Sequence, residues 1–190
     1  MKSKTQIVLL TATFLTALSF AQQSERLALP KELQGDIIPN FFVLANDNKG
    51  ELYRDDLKKN AEKAKAKRIV LSFFATHCLS CREEFAILKN NKSELEKRGV
   101  QIYLINIGED IHTYGDKVSK MVAQYAGNAF PFYFDPYGNS LRNFGLAKSA
   151  DAPLPLTLIL DSDLRALGVL KGKMGSDFPQ VLWTIQLNLP

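Results

Sequence analysis

The sequence predicts an α/β fold: a mixed central sheet with helices on both faces, three layers deep. Strand-length apolar runs alternate with longer helical segments, which calls for parallel strands joined by right-handed crossovers. The last two apolar runs flank a tight polar turn, which adds an antiparallel hairpin at one edge. The only two cysteines, Cys78 and Cys81, follow one of the buried runs directly and mark where such a fold carries chemistry.

Along the chain, Lys2 and Lys4 precede a mostly apolar stretch from Ile7 to Phe20, and Ser19-Phe20-Ala21 offers small residues at the positions a signal peptidase reads. Residues 1–21 therefore read as a signal peptide cleaved after Ala21. The stretch is short beside the roughly 20 residues of a membrane span, so an uncleaved tilted anchor is the alternative. No second long apolar segment follows, so the mature chain is expected to have no stable membrane span. Residues 22–40 have weak periodicity and read as an N-terminal extension wrapping the surface; residues 41–190 form the folded domain.

Phe41 to Leu44 is a short strand, residues 46–50 a turn, and Glu51 to Tyr53 the returning strand. Asp55 to Lys67 is a helix whose lysines suit a solvated face. Ile69 to Phe74 is continuously apolar, as in a strand buried on both faces. A helix runs from Cys78 to about Arg98 and stops at Gly99. Val100 to Ile107 is the next buried strand, Asp116 to Tyr125 a helix, Phe130 to Phe134 a strand and Ser140 to Phe144 a short helix. Leu156 to Leu160 and Ala166 to Leu170 pair across Asp161-Ser162-Asp163, and a last helix runs from Ser176 to about Leu187.

The 190 residues are 46% hydrophobic, which suits one globular domain with a real core. The 11 glycines and 8 prolines are ordinary, which excludes collagen-like and disordered chains. The formal charge of +4 falls to +2 once Lys2 and Lys4 are removed, so nothing electrostatic favours nucleic acid.

A disulfide framework would use several widely spaced cysteines, and a bridge spanning three positions closes almost no loop. The pair Cys78-Leu79-Ser80-Cys81 therefore points to chemistry. A helix N-terminus offers unpaired N–H groups and a partial positive charge, so Cys78 is expected to be the attacking thiolate. Cys81, one turn further in, is expected to resolve the mixed disulfide. A c-type haem would need histidine where Arg82 stands, and a zinc site would need four ligands, so no cofactor and no metal is expected. Pro155 opens an otherwise apolar strand. A cis bond there would expose the backbone of Leu154 to a substrate segment, and an ordinary trans proline is the alternative.

Together these residues resemble the thioredoxin superfamily, in particular the exported TlpA/ResA-like thiol–disulfide oxidoreductases. The resemblance runs through Phe73-Phe74-Ala75-Thr76-His77-Cys78-Leu79-Ser80-Cys81 with Arg82, Glu84 and Leu88, then Phe132 to Asp135, Gly138, Phe144, Leu154-Pro155-Leu156-Thr157 and Asp161. It covers roughly Phe41 to Leu187. Phe74 and His77 stand for the family's tryptophans, and Ala86 for its helix-kinking proline. It implies a thioredoxin-like sandwich, a redox-active Cys78–Cys81 disulfide, a cis Pro155 facing it, and Leu154, Pro155 and His77 beside the substrate. It also implies protein disulfide or dithiol partners, often in cytochrome c maturation, a membrane or exported electron donor, and a periplasmic or extracytoplasmic location. His77 puts an ionisable group beside Cys78; when protonated it would favour the thiolate, unless it merely fills the tryptophan's surface position.

Two other readings stay open. Two thiolates with a distant His112 would suit Cu(I), although copper-delivering relatives usually space their cysteines more widely. A peroxiredoxin-type peroxidase would need a Pro-x-x-x-Thr-x-x-Cys turn; Thr76 is one position too close to Cys78, and no proline precedes it.

Overall fold

A computed structural model describes residues 25–34, 37–46, 50–148 and 151–184. The leader, its cleavage point and residues 185–190 lie outside them. Eight strands form one sheet: β1 Glu25–Leu27, β2 Phe42–Ala45, β3 Glu51–Tyr53, β4 Arg68–Phe74, β5 Val100–Ile107, β6 Phe132–Asp135, β7 Leu156–Asp161 and β8 Ala166–Lys171. Their order is β1-β8-β7-β4-β5-β6-β2-β3. The central β4, β5 and β6 are parallel, and every other pairing is antiparallel. The helices are α1 Arg54–Ala64, α2 Leu79–Asn90, α3 Lys92–Lys97, α4 Ile111–Tyr125, α5 Asn139–Asn143 and α6 Phe178–Thr184.

Alternation along β4 explains its uninterrupted apolar sequence. Val70 and Phe74 face a core shared with Phe85 and Leu88 of α2, Val118 and Val122 of α4, and Phe178 and Leu182 of α6. Ile69, Leu71 and Phe73 face the opposite core, with Leu57 and Ala61 of α1 and Leu141 of α5. The expected three layers are present, with both faces of the central strands covered.

Several boundaries differ from expectation, each for a local reason. Residues 25–27 do more than wrap the surface: they pair with Val169 to Lys171 as an edge strand, and Leu33 and Ile38 behind them enter the core. Helix α1 ends at Ala64 because Lys65 turns left-handed, and Lys67 then donates its N–H to the Gly99 carbonyl. Gly99 itself has φ +75°, and a Cβ there would lie 3.2 Å from the Lys67 nitrogen. The expected long helix after Cys78 is two helices: the Asn91 side chain donates to the Ile87 carbonyl at 2.8 Å, competing with the helical ladder where it breaks. Helix α4 starts five residues earlier than expected, because Asp110 accepts the N–H groups of His112 and Thr113, each at 3.0 Å. Strand β6 begins after Pro131, which has no N–H to add to the ladder.

Candidate functional site

Strand β4 ends at Phe74 and hands the chain to the turn Ala75-Thr76-His77, from which α2 starts. Cys78 donates its N–H to the Ala75 carbonyl at 3.0 Å, closing the turn, and its Sγ accepts the Cys81 N–H at 3.2 Å as the helix N-cap. Cys78 and Cys81 are joined by a disulfide. Both belong to the core with Phe74 and Phe85, but their exposure differs: Cys78 keeps 7% of its surface, whereas Cys81 has 0%. Of the two, only Cys78 keeps any exposed surface. Leu79, between them, is 68% exposed, and His77 is also on the surface.

The Leu154–Pro155 peptide bond is cis, as the resemblance implies. Pro155 is buried, Leu154 half-buried, and the next residue, Leu156, pairs with Phe73 near the end of β4. That register sets the proline loop beside the carboxyl end of β4, where the cysteine turn begins. The Pro155 carbonyl accepts the Gly172 N–H at 2.9 Å, which ties the loop to the segment after β8. The structure therefore gathers Cys78, Cys81, His77, Leu154 and Pro155 at the carboxyl ends of the parallel strands, where open α/β sheets place their ligands. His112 lies on the surface at the start of α4, and among the described residues no group of three or more His, Cys, Asp or Glu side chains is placed to hold a metal ion.

Two buried carboxylates complete the site. Glu84 lies one turn beyond Cys81 on α2 and is 1% exposed. Its Oε1 accepts the Met174 N–H at 3.1 Å, while its Oε2 has no partner. Burial pushes its carboxyl up to about 8, against the opposing pull of the Met174 N–H. The neighbouring Glu83 forms an ion pair with Lys173, so residues 172–174 are fastened both to α2 and to the proline loop. The second carboxylate, Glu109 after β5, accepts hydrogen bonds from Thr76 and Asn106. Glu84 was visible in the sequence only as part of a motif. Glu109 carried no motif signal at all.

The fold and the paired cysteines at a strand–helix junction define a thioredoxin-like protein. Residues 34–166 match the AhpC/TSA family, and the chain belongs to it. The thiol–disulfide oxidoreductase ResA of Bacillus subtilis (strain 168) is 27% identical over 144 residues, spanning 74% of this chain and 69% of ResA. A thiol:disulfide interchange protein of Chlorobium tepidum TLS superposes with a TM-score of 0.56 at 21% identity, covering 76% of this chain and 91% of that one. The peroxidoxin BcpB of Mycobacterium tuberculosis gives 0.54 at 16% identity, covering 77% and 90%. At those identities the two structures speak for the fold alone. Among the described residues no helix is long and apolar enough to cross a membrane.

Proposed function

We infer that the protein is an exported thiol–disulfide oxidoreductase that reduces or exchanges disulfides in partner proteins through Cys78 and Cys81. The observation that carries this reading is the asymmetric disulfide, with Cys78 at a helix N-terminus keeping a small exposed surface and Cys81 fully buried. In the dithiol form, the α2 N-terminus favours the Cys78 thiolate. That thiolate attacks one sulfur of a substrate disulfide, the substrate bond breaks, and the departing substrate thiolate takes a proton. Cys81 then gives up its proton and attacks Cys78 Sγ, which releases the second substrate thiol. The net change is one substrate disulfide reduced to two thiols and the Cys78–Cys81 pair oxidised, two electrons in all.

The proline loop supplies the docking edge: Leu154 offers backbone to an extended substrate strand, Pro155 holds the loop, and His77 lies on the rim. A membrane or exported donor returns the pair to the dithiol, and apocytochrome c is the substrate that the resemblance to the ResA-like proteins suggests. The leader at residues 1–21 supports an extracytoplasmic setting. Thr76 further supports exchange over peroxide reduction, because its hydroxyl is bound to Glu109.

The test is the equilibrium of the pair against glutathione, trapping free thiols as the poise is varied. A reversible two-electron transition is expected. A potential near −270 mV, roughly that of thioredoxin, marks a reductase; one near −120 mV marks an oxidant or isomerase. Absence of any reversible transition, with the thiols holding Cu(I) instead, would sink this reading.

A further inference from the structure

Glu109 lies just past the end of β5, yet only 7% of it is exposed. Its Oε2 accepts the Thr76 N–H at 3.0 Å and Asn106 Nδ2 at 2.6 Å, and its Oε1 accepts the Thr76 hydroxyl at 2.5 Å. The Thr76 carbonyl in turn accepts Arg82 Nη2 at 2.8 Å, and the Arg82 guanidinium lies 5.7 Å from the centre of the Tyr125 ring. All three polar groups of Thr76 are thus held, by the loop after β5 and by α2. Only His77 separates Thr76 from Cys78. A carboxylate is costly to bury, and Glu109 is buried with its hydrogen bonds aimed at the turn that presents the nucleophile.

We propose that Glu109 is the positioning residue for Cys78: it clamps the turn at Thr76 so that Cys78 Sγ stays at the α2 N-terminus when the disulfide opens. This rests on Cys78 being the attacking thiol. In the oxidised protein the covalent bond to Cys81 restrains Cys78 as well. In the dithiol that restraint is gone, and the turn depends on hydrogen bonds alone. The clamp therefore matters in the half of the cycle where attack occurs. A displacement of about 1 Å is enough to cost a reacting group on the order of a hundredfold in rate.

The test uses the reduced full-length protein and iodoacetamide, with alkylation of Cys78 followed by peptide mass spectrometry at neutral pH. Glu109→Gln and Glu109→Ala carry the same charge at position 109, so the difference between them excludes the field of the carboxylate. Glutamine keeps a carbonyl oxygen for Thr76; alanine keeps nothing. Glu109→Ala is expected to react about tenfold more slowly than Glu109→Gln. Their dithiol–disulfide equilibrium constants against glutathione should differ about threefold or more, roughly 14 mV at 29.6 mV per tenfold. Thr76→Val against Thr76→Ser repeats the comparison from the other end of the bond and decides the matter should Glu109→Ala not fold. There the expected difference is smaller, about threefold, because the position-76 N–H still binds Glu109 and the turn moves less. Equal rates within the pairs overturn the clamp. Alkylation needs no disulfide partner, so that failure is distinct from a wild-type protein that shows no transition against glutathione.

Discussion

Replacing Glu84 by glutamine should flatten the dependence of stability on pH. Glu84 has its carboxyl pushed by burial from 4.5 up to about 8. Between those values the native state holds a proton that the unfolded chain releases. The native protein is therefore favoured below about pH 4.5 and loses ground steadily as pH rises towards 8, by about 1.4 kcal/mol per pH unit. From pH 5 to pH 7 the loss is about 2–3 kcal/mol, a sizeable part of the 5–15 kcal/mol that typically holds a domain together. Glutamine keeps an oxygen for the Met174 N–H and carries no ionisable proton, so its stability should barely respond. Urea unfolding of the oxidised proteins at pH 5, 6, 7 and 8 reads this directly. With a slope of about 2 kcal/mol per molar, the wild-type midpoint should fall by about 1 M between pH 5 and 7, and the Glu84→Gln midpoint by less than half of that. Parallel slopes in the two proteins would refute the reasoning, because they would mean that Glu84 is ionised in the native state and its environment wet.

Three further outcomes follow from the same geometry. Cys81→Ser should accumulate a mixed disulfide with substrate or glutathione on Cys78, whereas Cys78→Ser should not, because Cys81 has no exposed surface; non-reducing electrophoresis or intact mass distinguishes them. His77→Ala should raise the midpoint of Cys78 alkylation by less than about one pH unit at low salt and by nothing measurable in 1 M salt, since an exposed charge is screened within about 3 Å there; a shift that survives high salt would mean a direct contact. Phe85 lies under the cysteine pair, fully buried, its ring 4.9 Å from that of Phe74 in a T-shaped contact. Phe85→Ala should cost about 3–5 kcal/mol in urea unfolding, and a loss under 1 kcal/mol would show that the core there repacks.

The central strands were legible because burial on both faces leaves an unbroken apolar run, as at Ile69 to Phe74, and the cysteine pair because its spacing and its place after that run are local. What escaped depends on contacts the linear chain does not display. Asn91 reads as an ordinary helical position until its side chain takes the Ile87 carbonyl. The edge strand at Glu25 to Leu27 exists only because β8, more than 140 residues later, needs a neighbour. The same holds for the two carboxylates. Glu84 looks like a solvated helix residue until the chain at Met174, 90 positions on, closes over it. Glu109 becomes part of the site only because the loop after β5 returns to Thr76, 33 positions before it. An acidic residue announces its charge in a sequence but not its burial, and burial is what raises the Glu84 carboxyl and turns the Glu109 hydrogen bonds inward to Thr76.

The pairing of β1 with β8 sets where the amino-terminal strand enters the sheet relative to the cis-proline loop. Glu25 is opposite Lys171, and Lys171 is opposite Leu156, the residue after the cis proline. Glu25 thus lies on the same rim of the sheet as the cis proline. Ala21 is four residues away, a reach of at most about 14 Å. A purification tag fused at the amino end leads into that same rim through Glu25, and should be cut away before any exchange rate is believed.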